Sequence, residues 1–340
     1  MVTDGPLATE EQRAGARLVA LVGPTASGKS GVALEVAEAA GDVELVSVDS
    51  MAVYRGMDIG TAKPTPADRT RGRYHLIDLV NAGEEFTVQQ FQRAATLALD
   101  DIGARGNRAL LVGGTGLYLR SVVDDLTFPG RYPEVSTSLW AEVEASGPED
   151  SEERRATLGR LHGKLAAIDP VAASRIEPTN GRRLVRALEV TLGSGQPFSS
   201  YGPGLERYPP SRATLVGLCC DVDVLDRRIA ERFERMMEVG LLAEVERLAA
   251  VPHGMSRTAR QGLGYRELLA HVEGGVPLAQ AIESAVQRTR SFARRQMAWF
   301  RRDPRIVWMD PDDDPVSSIV GLLGGTSHEG ASMRDWRVAR

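Results

Sequence analysis

A chain of 340 residues is too long for one small domain; it fits one large α/β domain or two smaller ones. Hydrophobic residues make up 42% and charged residues 26%, which supplies a sizeable core and excludes a chain disordered by composition. A net charge of −5 argues against a uniformly basic nucleic-acid coat, while leaving room for a local basic face.

Residues 1–15 read as a loose polar leader, acidic where a signal peptide would be basic. The first apolar run, Leu18 to Val22, is too short for a membrane span. ARLVALVG (16–23) predicts a buried strand ending in glycine, and SGVALEVAEAAG (30–41) a helix stopped by Gly41. VELVSVD (43–49) predicts a second buried strand, 87–106 an amphipathic helix, and RALLVGG (108–114) a third strand. Strands alternating with helices predict a parallel sheet that binds ligands at the strand ends.

From about Phe128 the texture changes: 137–192 is rich in Ala, Leu, Arg and Glu, without a strand pattern. A helical insertion is expected over 127–198, closed by the Gly/Ser/Pro stretch 193–204. ATLVGLCCDV (213–222) resembles a further core strand, so the α/β core is expected in two pieces, 16–126 and 199–312. Residues 224–250 and 277–302 carry helical periodicity, and RIVWMD (305–310) predicts a last strand. Residues 1–15 and 322–340 are expected to be disordered ends.

Cys219 and Cys220 are adjacent and form neither a disulfide framework nor a zinc cage, which suits a reducing, cytoplasmic setting. The five histidines have no metal-ligand spacing. Only Lys29, Lys63 and Lys164 among the 41 basic residues are lysines. Compositional bias explains the arginine excess, so a surviving lysine marks a candidate position for chemistry that requires one.

Gly23-Pro24-Thr25-Ala26-Ser27-Gly28-Lys29-Ser30 fits G-x-x-x-x-G-K-[ST] between a predicted strand and a predicted helix. Such a loop turns backbone N–H groups toward a di- or triphosphate. Lys29 adds a point charge, and Ser30 can offer its hydroxyl to Mg²⁺. The fold expected is therefore α/β, a P-loop NTPase-like parallel sheet flanked by helices, with an inserted all-helical domain. Asp49 ends the strand Val46 to Val48 and suits a metal-associated carboxylate. The Gly- and Pro-rich stretch Asp49 to Pro64, which holds Lys63, reads as a long binding loop outside the core.

GPTASGKS followed by DSMAVYRGMDIGTAKP resembles the bacterial tRNA dimethylallyltransferase family, the tRNA A37 isopentenyltransferases. Further matches follow in order: YHLIDLV (74–80), GGTGLYLRS (113–121), NGRRLVRALEV (180–190), GLGYRE (262–267) and TRSFARRQMAWFRRDPRIVW (289–308), so that the resemblance spans roughly 16–310. It implies transfer of a dimethylallyl group from dimethylallyl diphosphate to N6 of adenosine 37 in tRNAs reading UNN codons. The phosphate loop would then hold the diphosphate of the allylic donor, not ATP. By the same resemblance Thr25 donates to the bridging oxygen, Asp49 is the general base, and Asp49, Ser50, Met51, Ala52 and Thr115 touch the tRNA.

That chemistry suits the residues. Diphosphate leaves readily only when its charge is neutralised, here by Lys29, the loop amides and a Mg²⁺ held partly by Ser30. The delocalised adenine amine is a weak nucleophile and gains from a carboxylate that accepts its proton, although a second-sphere Mg²⁺ role for Asp49 also fits. The target base must leave its stack, and the stem needs phosphate contacts. Seven arginines between Arg288 and Arg305, and Arg182, Arg183 and Arg186 in the insertion, form two basic clusters suited to an anticodon stem-loop. Ser136, Gly181 and Ser291 depart from the family's usual residues, which bears on RNA grip and not on the phosphate loop. A monomeric enzyme without membrane contact is expected. The rivals are an isopentenyltransferase acting on free adenine nucleotide, which needs no helical insertion, and a P-loop small-molecule kinase, which needs an adenine pocket and arginine lid.

Overall fold

The structure is a computed structural model and describes residues 18–202, 204–252 and 254–325. The expectation for 1–15, and that for 326–340, lie outside the described residues. The chain divides into two compact units, one formed by the residues up to Asp125 together with those from Pro210 onward, the other by Leu126–Pro209.

The first unit opens with β1 (Leu18–Val22), α1 (Lys29–Ala40), β2 (Val43–Val48), β3 (Tyr54–Arg55), α2 (Pro66–Arg71), β4 (Tyr74–His75) and β5 (Val80–Asn81). It continues through α3 (Val88–Ala104), β6 (Arg108–Gly113) and α4 (Gly116–Val123). The second unit holds α5 (Pro133–Ala145), α6 (Glu152–Ile168), the single turn α7 (Pro170–Ala173) and α8 (Gly181–Ser194). The first then resumes with β7 (Ala213–Leu218), α9 (Val222–Glu238), α10 (Leu241–Ala249), α11 (Tyr265–Val272), α12 (Leu278–Arg301), β8 (Ile306–Met309) and α13 (Pro315–Gly324).

Six strands form one parallel sheet in the order β4-β2-β6-β1-β7-β8. Its strands are apolar on both faces because helices cover both. Along β1, Val19 and Leu21 pack with Leu34 and Val36 of α1 and Ile319 and Leu323 of α13. Ala20 and Val22 point the other way, into a cluster with Phe91 of α3, Phe233 of α9 and Phe300 of α12. The helices start where local chemistry allows: Thr87 accepts from the Gln90 amide while the Gln90 side chain accepts from the Thr87 amide, a reciprocal cap on α3. Register decides what the sheet presents. Val22 and Val48 both lie opposite Gly113, and Val22 lies opposite Gly217, so the residues that follow β1, β2 and β6 emerge together at one sheet edge.

Several expectations are corrected. The periodic stretch 224–250 is two helices, because Gly240 takes φ 102°, a left-handed conformation that ends α9. The strand expected over 213–222 stops at Leu218, and Val222 already opens α9. Residues 322–324, expected to be disordered, belong to α13, where Leu322 and Leu323 are buried. The helical unit closes at Pro209 and not at 198. Phe198 packs on its core, and the buried Asp169 carboxylate accepts from both the amide and the hydroxyl of Ser199. Burial works against ionisation of Asp169, yet the Ser199 and Ala172 amides hold its carboxyl below the usual range. No helix among the described residues is long and apolar enough to cross a membrane.

Candidate active site

The phosphate loop links β1 to α1. Gly23 has φ 149°, and a Cβ there would stand 2.9 Å from the Leu218 carbonyl oxygen, so the first glycine of the motif is a steric requirement. Gly28 (φ 93°) hands the chain to α1, whose first amides, at Gly31 and Val32, bond back to its carbonyl. The Lys29 ammonium curls over the loop, donating to the Pro24 carbonyl and, at 3.3 Å, to Ser27 Oγ. Burial pushes the Lys29 pKa down to about 7; Arg232 pushes the same way and Asp49 opposes both.

Arg232 was not legible in the sequence as a site residue. It sits in mid-α9, 207 residues from Thr25 in the chain, and its Nη1 donates to Thr25 Oγ1 at 3.2 Å. Burial lowers its pKa, with Asp49 opposing and Arg235 adding. Two half-buried cations thus face one loop, and neither forms a salt bridge among the described residues. Such a pair costs desolvation and mutual repulsion, and a polyanion relieves both. Because Thr25 Oγ1 accepts from Arg232, the hydroxyl hydrogen remains available to a ligand oxygen.

Asp49 follows β2. Its Oδ1 accepts from the Met51 amide at 2.7 Å and the Ala52 amide at 3.3 Å, which fixes the carboxylate against its own turn and leaves Oδ2 for an incoming donor. The Ser50 amide donates to Thr115 Oγ1, and the Thr115 amide to the Val48 carbonyl, so the turn after β6 is laced to the turn after β2. Gln296 of α12 lies between these parts: its Oε1 accepts from the Thr25 amide at 2.9 Å and its Nε2 donates to the Gly114 carbonyl at 2.8 Å. Thr25, Lys29, Asp49, Ser50 and Thr115 are therefore brought together. Ser30 is exposed beside Lys29 at the start of α1.

The segment 49–64, expected as a binding loop outside the core, contributes to the core. Val53, Tyr54 and Met57 are fully buried, and Tyr54–Arg55 pairs in parallel with Val80–Asn81. Its backbone is satisfied from a distance. The buried Glu244 carboxylate accepts from the amides of Asp58, Ile59 and Gly60 and, at 2.5 Å, from the Tyr265 hydroxyl. A Cβ on Gly60 would stand 2.5 Å from the Tyr265 ring. Lys63, only 1% exposed at its side chain, donates to the Tyr54 carbonyl and pairs with Asp58 and Asp78. This rare lysine holds the loop's own fold.

The basic clusters are thinner than their sequence. Arg288 pairs with Glu267, Arg290 and Arg294 with Asp226, and Arg305 with Asp124 and Asp303. Arg295, Arg301 and Arg302 are exposed without a carboxylate partner among the described residues. In the helical unit Arg182 and Arg183 are exposed, but Arg186 spends its donors on Glu189 and the carbonyls of Pro129 and Gly130. His75, His162 and His271 bond to Glu44 or to backbone carbonyls, while His253 and His328 lie outside the described residues. No three His, Cys, Asp or Glu residues among the described ones group to hold a metal.

A central parallel sheet flanked by helices, with a glycine-rich turn after β1, a carboxylate after β2 and an inserted helical unit, defines a mixed α/β protein whose candidate site lies at the ends of its strands. Residues 52–303 match the IPP transferase family. The tRNA dimethylallyltransferase of Salinispora arenicola is 46% identical over 293 residues, which cover 86% of this chain and 82% of that protein. That of Desulforudis audaxviator is 43% identical over 315 residues, 92% of this chain and 98% of its own length. The crystal structure of the full-length tRNA isopentenylpyrophosphate transferase of Bacillus halodurans superposes with a TM-score of 0.63 at 35% identity, covering 91% of this chain and 96% of that one. The chain belongs to the IPP transferase family.

Proposed function

We propose that this chain is a prenyltransferase that moves the dimethylallyl group of dimethylallyl diphosphate to N6 of adenosine 37 in tRNAs reading UNN codons. The observation that carries the reading is the adjacency of a polyanion site, built by the phosphate loop with Lys29 and Arg232, to a carboxylate, Asp49, with one oxygen still to fill. The bond from the allylic carbon to the diphosphate oxygen breaks and a bond from that carbon to N6 forms. The proton lost by N6 passes to Asp49 Oδ2. The departing diphosphate takes the bonding electron pair and is stabilised by Lys29, Arg232 and the Thr25 hydroxyl. Arg182 and Arg183, with the exposed Arg295, Arg301 and Arg302, would meet RNA phosphates; the turn of Asp49, Ser50, Met51 and Ala52, tied to Thr115, would meet the target nucleotide, with Ala52 itself buried.

Mg²⁺ keeps several waters and binds largely through substrate phosphates, so that an exposed hydroxyl at the start of α1 could supply the protein's share. Ser30 would hold it, and the ion would supply neutralisation of diphosphate charge. The two free cysteines are in keeping with a reducing, cytoplasmic setting, and a monomer remains the proposed state.

The family and its named relatives support this reading over a P-loop kinase or an enzyme for free adenine nucleotide. Incubation with dimethylallyl diphosphate, Mg²⁺ and unmodified tRNA, followed by nucleoside analysis, is expected to yield N6-dimethylallyladenosine. Phosphate transfer or ATP hydrolysis in its place, or modification of free AMP in preference to tRNA, would overturn the reading.

A further inference from the structure

Among the described residues, a hydrogen-bonded path from the phosphate loop to the Asp49 turn begins at the Gln296 side chain. Gln296 is buried, and its two partners are complementary: Thr25 offers an N–H and Gly114 a carbonyl. Only one orientation of the amide satisfies both, so the side chain is fixed in rotation as well as in place. From Gly114 the connection passes to Thr115, which bonds to the Val48 carbonyl and receives the Ser50 amide, and so reaches Asp49.

The glycines of the turn are cut to this helix. A Cβ on Gly114 would lie 2.3 Å from Gln296 Nε2, and one on Gly116 would lie 2.0 Å from Trp299 Nε1. Gln296 and Trp299 are three residues apart on α12 and so share a helix face, which seats the turn after β6 at two points. Gln296 also takes the Thr25 amide out of the set that could bind phosphate. The bond is therefore made at the expense of a donor contact, an arrangement that pure anion binding would not favour.

We propose that Gln296 is a positioning residue that holds the Thr25 hydroxyl, on the leaving-group side, in register with Asp49, on the nucleophile side. This rests on the prenyl-transfer reading above. In-line substitution at an allylic carbon requires the departing and attacking atoms to be held on opposite sides of that carbon, and a misplacement of about 1 Å costs on the order of a hundredfold in rate. Gln296 touches neither reactant. It sets the distance between the two groups that do.

The test uses the full chain with dimethylallyl diphosphate and tRNA. Gln296→Ala removes the bridge. Gly114→Ala leaves Gln296 in the sequence but drives its amide off the carbonyl, and Gly114 has no left-handed φ to add strain. Each variant is expected to lower kcat by roughly tenfold to a hundredfold, with the donor KM changed by no more than about twofold. The double variant should fall within about threefold of either single one, because both break the same connection. A purely structural role would lower the melting temperature with kcat per folded molecule unchanged. Wild-type kcat in either variant, or losses that multiply in the double, overturns the proposal; if Gln296→Ala does not fold, Gly114→Ala carries the test alone. Absence of prenyl transfer in the wild type would instead sink the functional reading.

Discussion

At the level of single residues, the site works through half-buried charges held close to one another. Asp49 is held by two amides through one oxygen, so Asp49→Asn keeps the turn's acceptor but removes the base. Its kcat should fall by roughly a hundredfold to ten-thousandfold while donor binding, followed by calorimetry, stays near wild type. Full activity in Asp49→Asn would show that another group takes the proton. Lys29 makes a pH prediction. With a pKa of about 7 in the free protein, it is largely neutral at pH 8, and a bound diphosphate draws the proton back. Donor affinity should therefore be fully present below pH 7 and weaken above it. Calorimetry at pH 8 in buffers of different ionisation enthalpy should detect proton uptake, which Lys29→Met removes. Arg232 is one of the causes of the lowered value, so Arg232→Gln should move the midpoint upward even as it weakens binding.

At the scale of elements, the segment from Asp49 to Pro64 is the most instructive. Its composition describes a loop, and its strand content is indeed two residues, yet it behaves as part of the core because Glu244 and Lys63 answer its polar backbone. Burial pushes the Tyr265 phenol pKa far up and the Glu244 charge adds to the shift, so the hydroxyl remains a donor throughout the working range. Tyr265→Phe leaves a buried carboxylate short of a donor and should cost about 1–3 kcal/mol of stability in urea unfolding. The same change should open the 56–63 segment to limited proteolysis. Uniform stability loss with no new cleavage would mean that Glu244 and not Tyr265 carries the brace.

The core strands were legible because buried parallel strands are written as continuous apolar runs, and the phosphate loop because glycine, lysine and serine stand at fixed spacing. Arg232, Glu244 and Gln296 were not. Each lies on an amphipathic helix whose periodicity explains its apolar face and not its polar residues, and its side chain reaches the site through partners 182 to 271 residues away. Two of the three lysines, Lys29 and Lys63, stand where a lysine is used, whereas Lys164 is exposed on a helix of the second unit; rarity alone could not distinguish Lys29 over a phosphate loop from Lys63 inside a salt-bridged turn.

At the scale of the molecule, the end of the sheet opposite the site carries its own charge device. Glu44, at the start of β2, is buried and is bonded by Arg105, Asn107 and His75. Burial opposes ionisation, but Arg105, then Asn107 and His75, bring the carboxyl from 4.5 down to about 2. Because the folded value is depressed, the associated stability is fully present above pH 4.5 and is lost as pH falls toward 2. This group accounts for on the order of 2–3 kcal/mol of that loss. Glu44→Gln should unfold more easily at neutral pH and show a shallower acid limb in denaturant titrations; an unchanged limb would assign acid sensitivity elsewhere.

The paired arginines of α12, with Arg305 beyond it, have a consequence for how binding to RNA responds to salt. A cation already matched by Glu267, Asp226 or Asp124 displaces few counterions when a phosphate approaches, because its charge is compensated before the encounter. Of the two basic clusters, Arg182, Arg183, Arg295, Arg301 and Arg302 remain uncompensated. Counterion release by those five corresponds to a slope of about −3.5 to −4.5 for log K against log salt. Ten arginines acting alike would give about twice that steepness. Tightly held tRNA with a shallow ionic-strength dependence would therefore reflect an enzyme that grips its substrate through shape and hydrogen bonding, with charge serving mainly to bring the two together.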